Sequence, residues 1–156
     1  MEEQKQYRPN VAAVILSHEY PFSCKLFIAL RRDIDDAWQF PQGGIDEGES
    51  PQEALFRELK EEIGTKKIEI IAEYPEWLSY EFPNKIAKKM YPYDGQIQKY
   101  FLVRLKKNAK IDLDTKHPEF IDHKFVDLQE VLNYIVYFKK PIYKKVLEYF
   151  IKEGYL

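Results

Sequence analysis

The chain has 156 residues, the size of one domain; two would each bury little core. Hydrophobic residues make up 45% and charged residues 32%, an ordinary globular mixture that excludes global disorder. Lys plus Arg is 24 and Asp plus Glu is 26, a formal net charge of -2. That balance excludes a strongly basic protein that coats duplexes through many phosphate contacts, and leaves room for a small site handling a few phosphates.

The first residues, Met1 to Gln6, contain no apolar core of signal-peptide length, and the longest clean apolar run, Val11 to Leu16, is too short to cross a bilayer. The single cysteine, Cys24, has no partner for an internal disulfide. These features point to a cytoplasmic protein with no membrane association, and residues 1–156 read as one domain. Asn10 to Ser17 reads as a first strand, Tyr20 to Ser23 as a turn and Lys25 to Leu30 as a second strand, a hairpin pattern. Ser50 to Ile63 carries the clearest helix signals. Ser50 caps it, Pro51 suits its first position, Glu53 completes a capping box and Gly64 stops it. Strands are expected over Lys67–Tyr74, Trp77–Phe82, Gln98–Leu105 and Phe120–Val126, and helices over Asp127–Ile135 and Pro141–Ile151. Pro83 to Gly95, rich in Pro, Lys and Tyr, reads as a long functional loop. Strands interspersed with a few helices predict an α/β domain with a mixed sheet.

The Ser50–Ile63 helix carries the chemistry. At about 100° per residue, with Glu58 at zero, Glu61 falls near -60° and Glu62 near +40°, so three carboxylates share a face. Leu55, Leu59, Ile63 and Phe56 form the adjoining apolar stripe, from about +60° to +160°. Three clustered acids are tolerable as a solvated surface, since like charges at this spacing cost only about 0.2–0.5 kcal/mol per pair. They are also a ready site for a hard divalent cation that bridges carboxylates to substrate phosphates. Upstream, Trp38-Gln39-Phe40-Pro41-Gln42-Gly43-Gly44 reads as a strand end running into a glycine turn.

Taken together, Gly43, five residues, Glu49, seven residues, then Arg57-Glu58-Leu59-Lys60-Glu61-Glu62-Ile63-Gly64 resembles the signature box of the Nudix hydrolases, here spanning residues 43–65. Thr65 stands where the pattern usually has a bulky aliphatic. The resemblance implies a Nudix fold, a mixed β-sheet sandwiched between helices. It also implies hydrolysis of a phosphoanhydride bond with Mg2+ or Mn2+ held by Glu58, Glu61 and Glu62, with the Gly43 carbonyl as a further candidate. Glu58 is alternatively the base that takes a proton from the attacking water. Arg57 and Glu49 would pair to hold the helix against its loop.

The flanking segments Tyr7-Arg8-Pro9-Asn10, Arg31-Arg32, Gly95-Gln96-Ile97-Gln98-Lys99, Pro118-Glu119-Phe120 and Phe138-Lys139-Lys140-Pro141 resemble the bacterial RNA pyrophosphohydrolase group, which is similar to the diadenosine tetraphosphate hydrolases. That resemblance implies Glu119 as an additional metal ligand. It implies Arg8, Arg32 and Lys139 as contacts to the 5′ phosphates or nearby nucleotides, and Tyr80 and Phe138 as aromatic neighbours of a base. The substrates implied are 5′-phosphorylated RNA or a dinucleoside polyphosphate, with no obligatory protein partner.

Overall fold

Ten consecutive residues, Tyr7–Leu16, form β1, the strand on which the computed structural model is organised; the structure describes residues 4–156. Its apolar run is continuous because both faces are covered. Val11, Ala13 and Ile15 pack with Ala54, Leu55, Leu59 and Ile63 of α1 (Pro51–Ile63), whereas Ala12, Val14 and Leu16 pack on the opposite side. There they meet Ile142, Tyr143, Val146 and Phe150 of the C-terminal helix, Lys140–Lys152. The result is an α/β/α arrangement around one eight-stranded mixed sheet.

The remaining strands are β2 (Lys25–Arg31), β3 (Trp38–Gln39), β4 (Gln42–Gly44), β5 (Ile68–Glu73), β6 (Leu78–Glu81), β7 (Gly95–Leu105) and β8 (Phe120–Asp127). β1 runs parallel to β7 in unbroken register from Tyr7↔Gly95 to Leu16↔Arg104. The other edges of these two strands are each shared. Against β1, β4 pairs at Asn10–Ala12 and β2 at Leu16. Against β7, β6 pairs at its first four residues and β5 at its last five. β4 and β6 thus pair near the same end of the β1–β7 couple, and that end holds the cleft described below.

The first long helix follows its sequence signals. Ser50 Oγ accepts the Glu53 amide at 3.1 Å, the Glu53 carboxylate accepts the Ser50 amide at 3.2 Å, and Gly64 ends the helix at φ 79°. We expect Ser50→Ala to lower unfolding free energy by about 1 kcal/mol in urea denaturation; no change would show that packing alone fixes the helix start. Two expectations change. The helix expected over Asp127–Ile135 shrinks to one turn, α3 (Val131–Tyr134), because Asp127 is spent in the β8 ladder opposite Lys25. The long loop after Pro83 contains a single turn, α2 (Asn84–Ala87), which makes the C-terminal helix α4. The ends of that segment are clasped, since the Phe82 amide donates to the Asp94 carbonyl at 2.8 Å. Among the described residues, no helix is long and apolar enough to cross a membrane.

Candidate active site

This end of the sheet borders a cleft of about 380 Å³, enough for a nucleotide-sized ligand. The acid face of α1 supplies Glu58, Glu61 and Glu62, β4 supplies Gln42, Gly43 and Gly44, and Glu119 enters just before β8. Arg8 and Asn10 come from β1 and Gln96 from β7. Tyr80, Phe82, Ile86, Met90 and Phe138 form the apolar wall.

Arg57 organises the acids. Its Nε and Nη2 grip both Glu49 carboxylate oxygens at 2.7 Å, and Nη2 also donates to the Gly44 carbonyl at 2.8 Å. Nη1 donates to Glu58 at 2.8 Å and Glu61 at 3.2 Å. One guanidinium thus ties the helix to the glycine turn and to two acids. Its fork holds the Glu49 carboxyl down at about 2. Burial pushes the Glu58 carboxyl up against the pull of Arg57.

Glu62 is the most unusual acid. It is only 9% exposed, its Oε2 is buried without a hydrogen-bond partner, and burial, with Glu58 and Glu119 adding repulsion, raises its carboxyl well above the ordinary range. The helical spacing accounts for this, since Glu62 lies only about 20° from Leu55 at the margin of the apolar stripe. Among the described residues, no three His, Cys, Asp or Glu side chains gather into a ready metal cage. A hard cation such as Mg2+ does not need one, because it keeps waters and takes only one or two carboxylates beside substrate phosphates. The orphaned Glu62 oxygen and the all-oxygen donor set, Glu58, Glu61, Glu62, Glu119 and the Gly43 carbonyl, fit such an ion.

Gly43 has a steric reason to be glycine. A Cβ there would lie 2.0 Å from the Glu58 carboxylate. We expect Gly43→Ala to displace that carboxylate and cut turnover by tens of fold with little change in the thermal midpoint, because the obstructing atoms are the end of a flexible side chain. A variant with wild-type turnover would mean the Glu58 position is not critical.

Not every residue expected at the substrate lies in the cleft. Arg32 is exposed and outside it; its amide donates to the Glu119 carbonyl at 2.9 Å. Arg31 lines the cleft instead, in a two-point pair with Asp33 at 2.8 Å. Lys139 is 1% exposed, and its Nζ donates to Gln42 at 2.6 Å and Gln39 at 3.1 Å. It lies beneath the cleft, with its Nζ engaged by these two glutamines. Burial pushes its ammonium well down, with Glu62 and Asp33 working the other way. Arg8 lies against Gly44, where a Cβ would come within 2.5 Å of its guanidinium. Tyr80 and Phe138 face one another with ring centres 6.2 Å apart, and burial raises the Tyr80 phenol to about 12.

The residues missed from sequence are Asn10, Gln39, Gln42, Gln96 and Gln98, an amide network under the cleft. Their signal was polar residues at period two, as in Gln96-Ile97-Gln98, inside runs that are otherwise buried.

The NUDIX domain model matches residues 6–148. A Nitratiruptor protein named RNA pyrophosphohydrolase is 71% identical over 153 residues, 98% of this chain and 99% of its own. A Campylobacter jejuni protein of the same name is 67% identical over the full length of both chains. Among solved structures, the E. coli dihydroneopterin triphosphate pyrophosphohydrolase superposes with a TM-score of 0.74 at 20% identity, covering 96% of this chain and 100% of that one.

Proposed function

The chain belongs to the Nudix family, and we propose that within it this protein is an RNA 5′ pyrophosphohydrolase. It converts the 5′ triphosphate, or diphosphate, of RNA to a monophosphate and so promotes RNA decay in the cytoplasm. The observation that carries this reading is the end-to-end identity with relatives bearing that name, over a cleft whose acid, basic and aromatic groups suit a phosphorylated nucleotide.

In the reaction a water oxygen bonds to phosphorus as the anhydride P–O bond breaks, and the water proton passes to a base. We assign that proton to Glu58. Its Oε1 is taken by Arg57, its Oε2 is not, and burial makes it more basic than an ordinary carboxylate. Glu58, Glu61, Glu62 and Glu119, with the Gly43 carbonyl, would hold a divalent cation, Mg2+ or Mn2+. When bound, such a cation neutralises phosphate oxygens and acidifies water. Arg8 and Arg31 stand on the same cleft to take phosphate charge, and Tyr80 and Phe138 offer faces on which a base stacks, worth about 1–3 kcal/mol per base.

The test is a competition between equal concentrations of 5′-triphosphate RNA and diadenosine tetraphosphate with Mg2+, products resolved over time and Glu62→Gln as the blank. Faster loss of phosphate from RNA is expected. Faster release of ATP and AMP would assign the dinucleotide as substrate instead.

A further inference from the structure

Five acids line the cleft, and Glu58, Glu61, Glu62 and Glu119 are the proposed cation ligands; the fifth, Asp33, has no part in the hydrolysis. We propose that Asp33 is a positioning residue with two alternative cations, Arg31 and Lys89. A substrate phosphate that takes Arg31 hands Asp33 to Lys89, and Lys89 draws residues 83–93 over the ligand. The inference rests on the cleft receiving phosphates and not on the substrate being RNA.

The first partner is occupied from two sides. Arg31 Nε donates to Asp33 Oδ1 and Nη2 to Oδ2, each at 2.8 Å, and both residues line the cleft. The guanidinium fork fits carboxylate and phosphate alike, so a phosphate that grips it competes with Asp33 for the same donors. A polyphosphate carries more charge than one carboxylate and wins that contest, which leaves Asp33 charged and without its cation.

The second partner stands ready. Lys89 belongs to the segment whose Ile86 and Met90 line the cleft. The Met90 amide donates to the Ile86 carbonyl at 3.2 Å, a helical bond, so Ile86, Lys89 and Met90 share a face. Lys89 is exposed and makes no salt bridge among the described residues. Its charge still reaches Asp33: against the upward push of burial, Arg31 and then Lys89 hold that carboxyl below its ordinary value. The segment is able to follow its lysine. The backbone hydrogen bonds of residues 84–93 stay within 83–93, and the ties to the sheet are at its end, Phe82 to Asp94 at 2.8 Å and Asp94 to Gln6 at 2.7 Å. Such a piece swings as a unit about its fixed ends.

Two measurements test the exchange, both on protein of Glu62→Gln background. Trypsin cuts after Lys85, Lys88 and Lys89, and the rate of those cuts reads how openly the segment is held. A 5′-triphosphate dinucleotide with Mg2+ should slow them about threefold, and Asp33→Asn should abolish that protection. Arg31→Met gives Asp33 to Lys89 from the start, so it should slow the cuts with no ligand added. Equilibrium binding of the same dinucleotide supplies a double-mutant cycle. Lys89→Met should weaken binding about threefold when Asp33 is present and by less than about 1.5-fold beside Asp33→Asn. An equal loss in both backgrounds would make Lys89 a direct phosphate contact and overturn the proposal, as would ligand-free Arg31→Met cut at the parent rate. Failure of the parent protein to bind the dinucleotide would instead count against the functional reading, and the ligand-free comparison would still decide the exchange.

Discussion

Replacing Glu62 with Gln should lower turnover by about 10³-fold while making the cation-free protein more stable at neutral pH. The two effects share one cause. The Glu62 carboxylate is nearly enclosed, its Oε2 has no donor, and Glu58 and Glu119 add repulsion. Its carboxyl therefore holds its proton in the folded protein to higher pH than in the unfolded chain. Between the ordinary glutamate range and that raised value, the folded state binds more protons than the unfolded one. Stability then falls as pH rises, and above the raised value the full cost remains. Glutamine removes the charge and keeps the shape, so the difference in unfolding free energy between variant and wild type should grow with pH across this window. Each kcal/mol recovered raises the midpoint by about 2–4 °C. Thermal scans in chelator at several pH values, beside single-substrate rates with Mg2+, check both halves. A variant less stable than wild type at neutral pH would sink the account of Glu62 as a group whose charge the fold does not satisfy.

Replacing Arg57 with Ala should cost about 10²-fold in turnover, with substrate binding less affected. Arg57 need not touch substrate for this, because its fork fixes Glu49, the Gly44 carbonyl, Glu58 and Glu61 together. Without it the Glu58 and Glu61 carboxylates repel with no cation between them, and the glycine turn loses its tie to α1. Stability changes in the opposite pH sense to Glu62. The Glu49 carboxyl, held near 2 by Arg57, contributes stability that is present above the ordinary glutamate value and is lost as pH falls toward 2. The Arg57→Ala defect in unfolding free energy should accordingly be largest at neutral pH and shrink on acidification. Arg57→Lys should recover little activity, since a point charge cannot grip both Glu49 oxygens. Turnover of Arg57→Ala within about threefold of wild type would remove Arg57 from the catalytic scaffold.

The acid helix was legible in sequence because its signals are local: a capping box, a stop glycine and an apolar stripe of helical period. Even the burial of Glu62 follows from its angular position. What was not legible depends on partners far along the chain. β4 is a strand only because β1 pairs with it, and a Gln-Gly-Gly run carries no strand signal of its own. Asp127 reads as a helix start until β2 claims it for the ladder. Arg31 and Arg32 cannot be told apart without the register of β2, which shifts between Leu30 and Arg31. Lys139 reads from its flanking segment as a contact to substrate; its burial is decided by Gln39 and Gln42, 100 and 97 residues away.

The clasp between Phe82 and Asp94 has an evolutionary consequence. The groups proposed to carry out hydrolysis stand on α1, β4 and the residue before β8, whereas Ile86 and Met90, which line the same cleft, belong to a segment whose two ends are already joined. Doubling the length of such a closed loop adds only about 0.6 kcal/mol of closure entropy. Insertions and deletions there can therefore redraw which molecules are admitted while leaving bond cleavage as it was, so the lineage can change diet without relearning its chemistry.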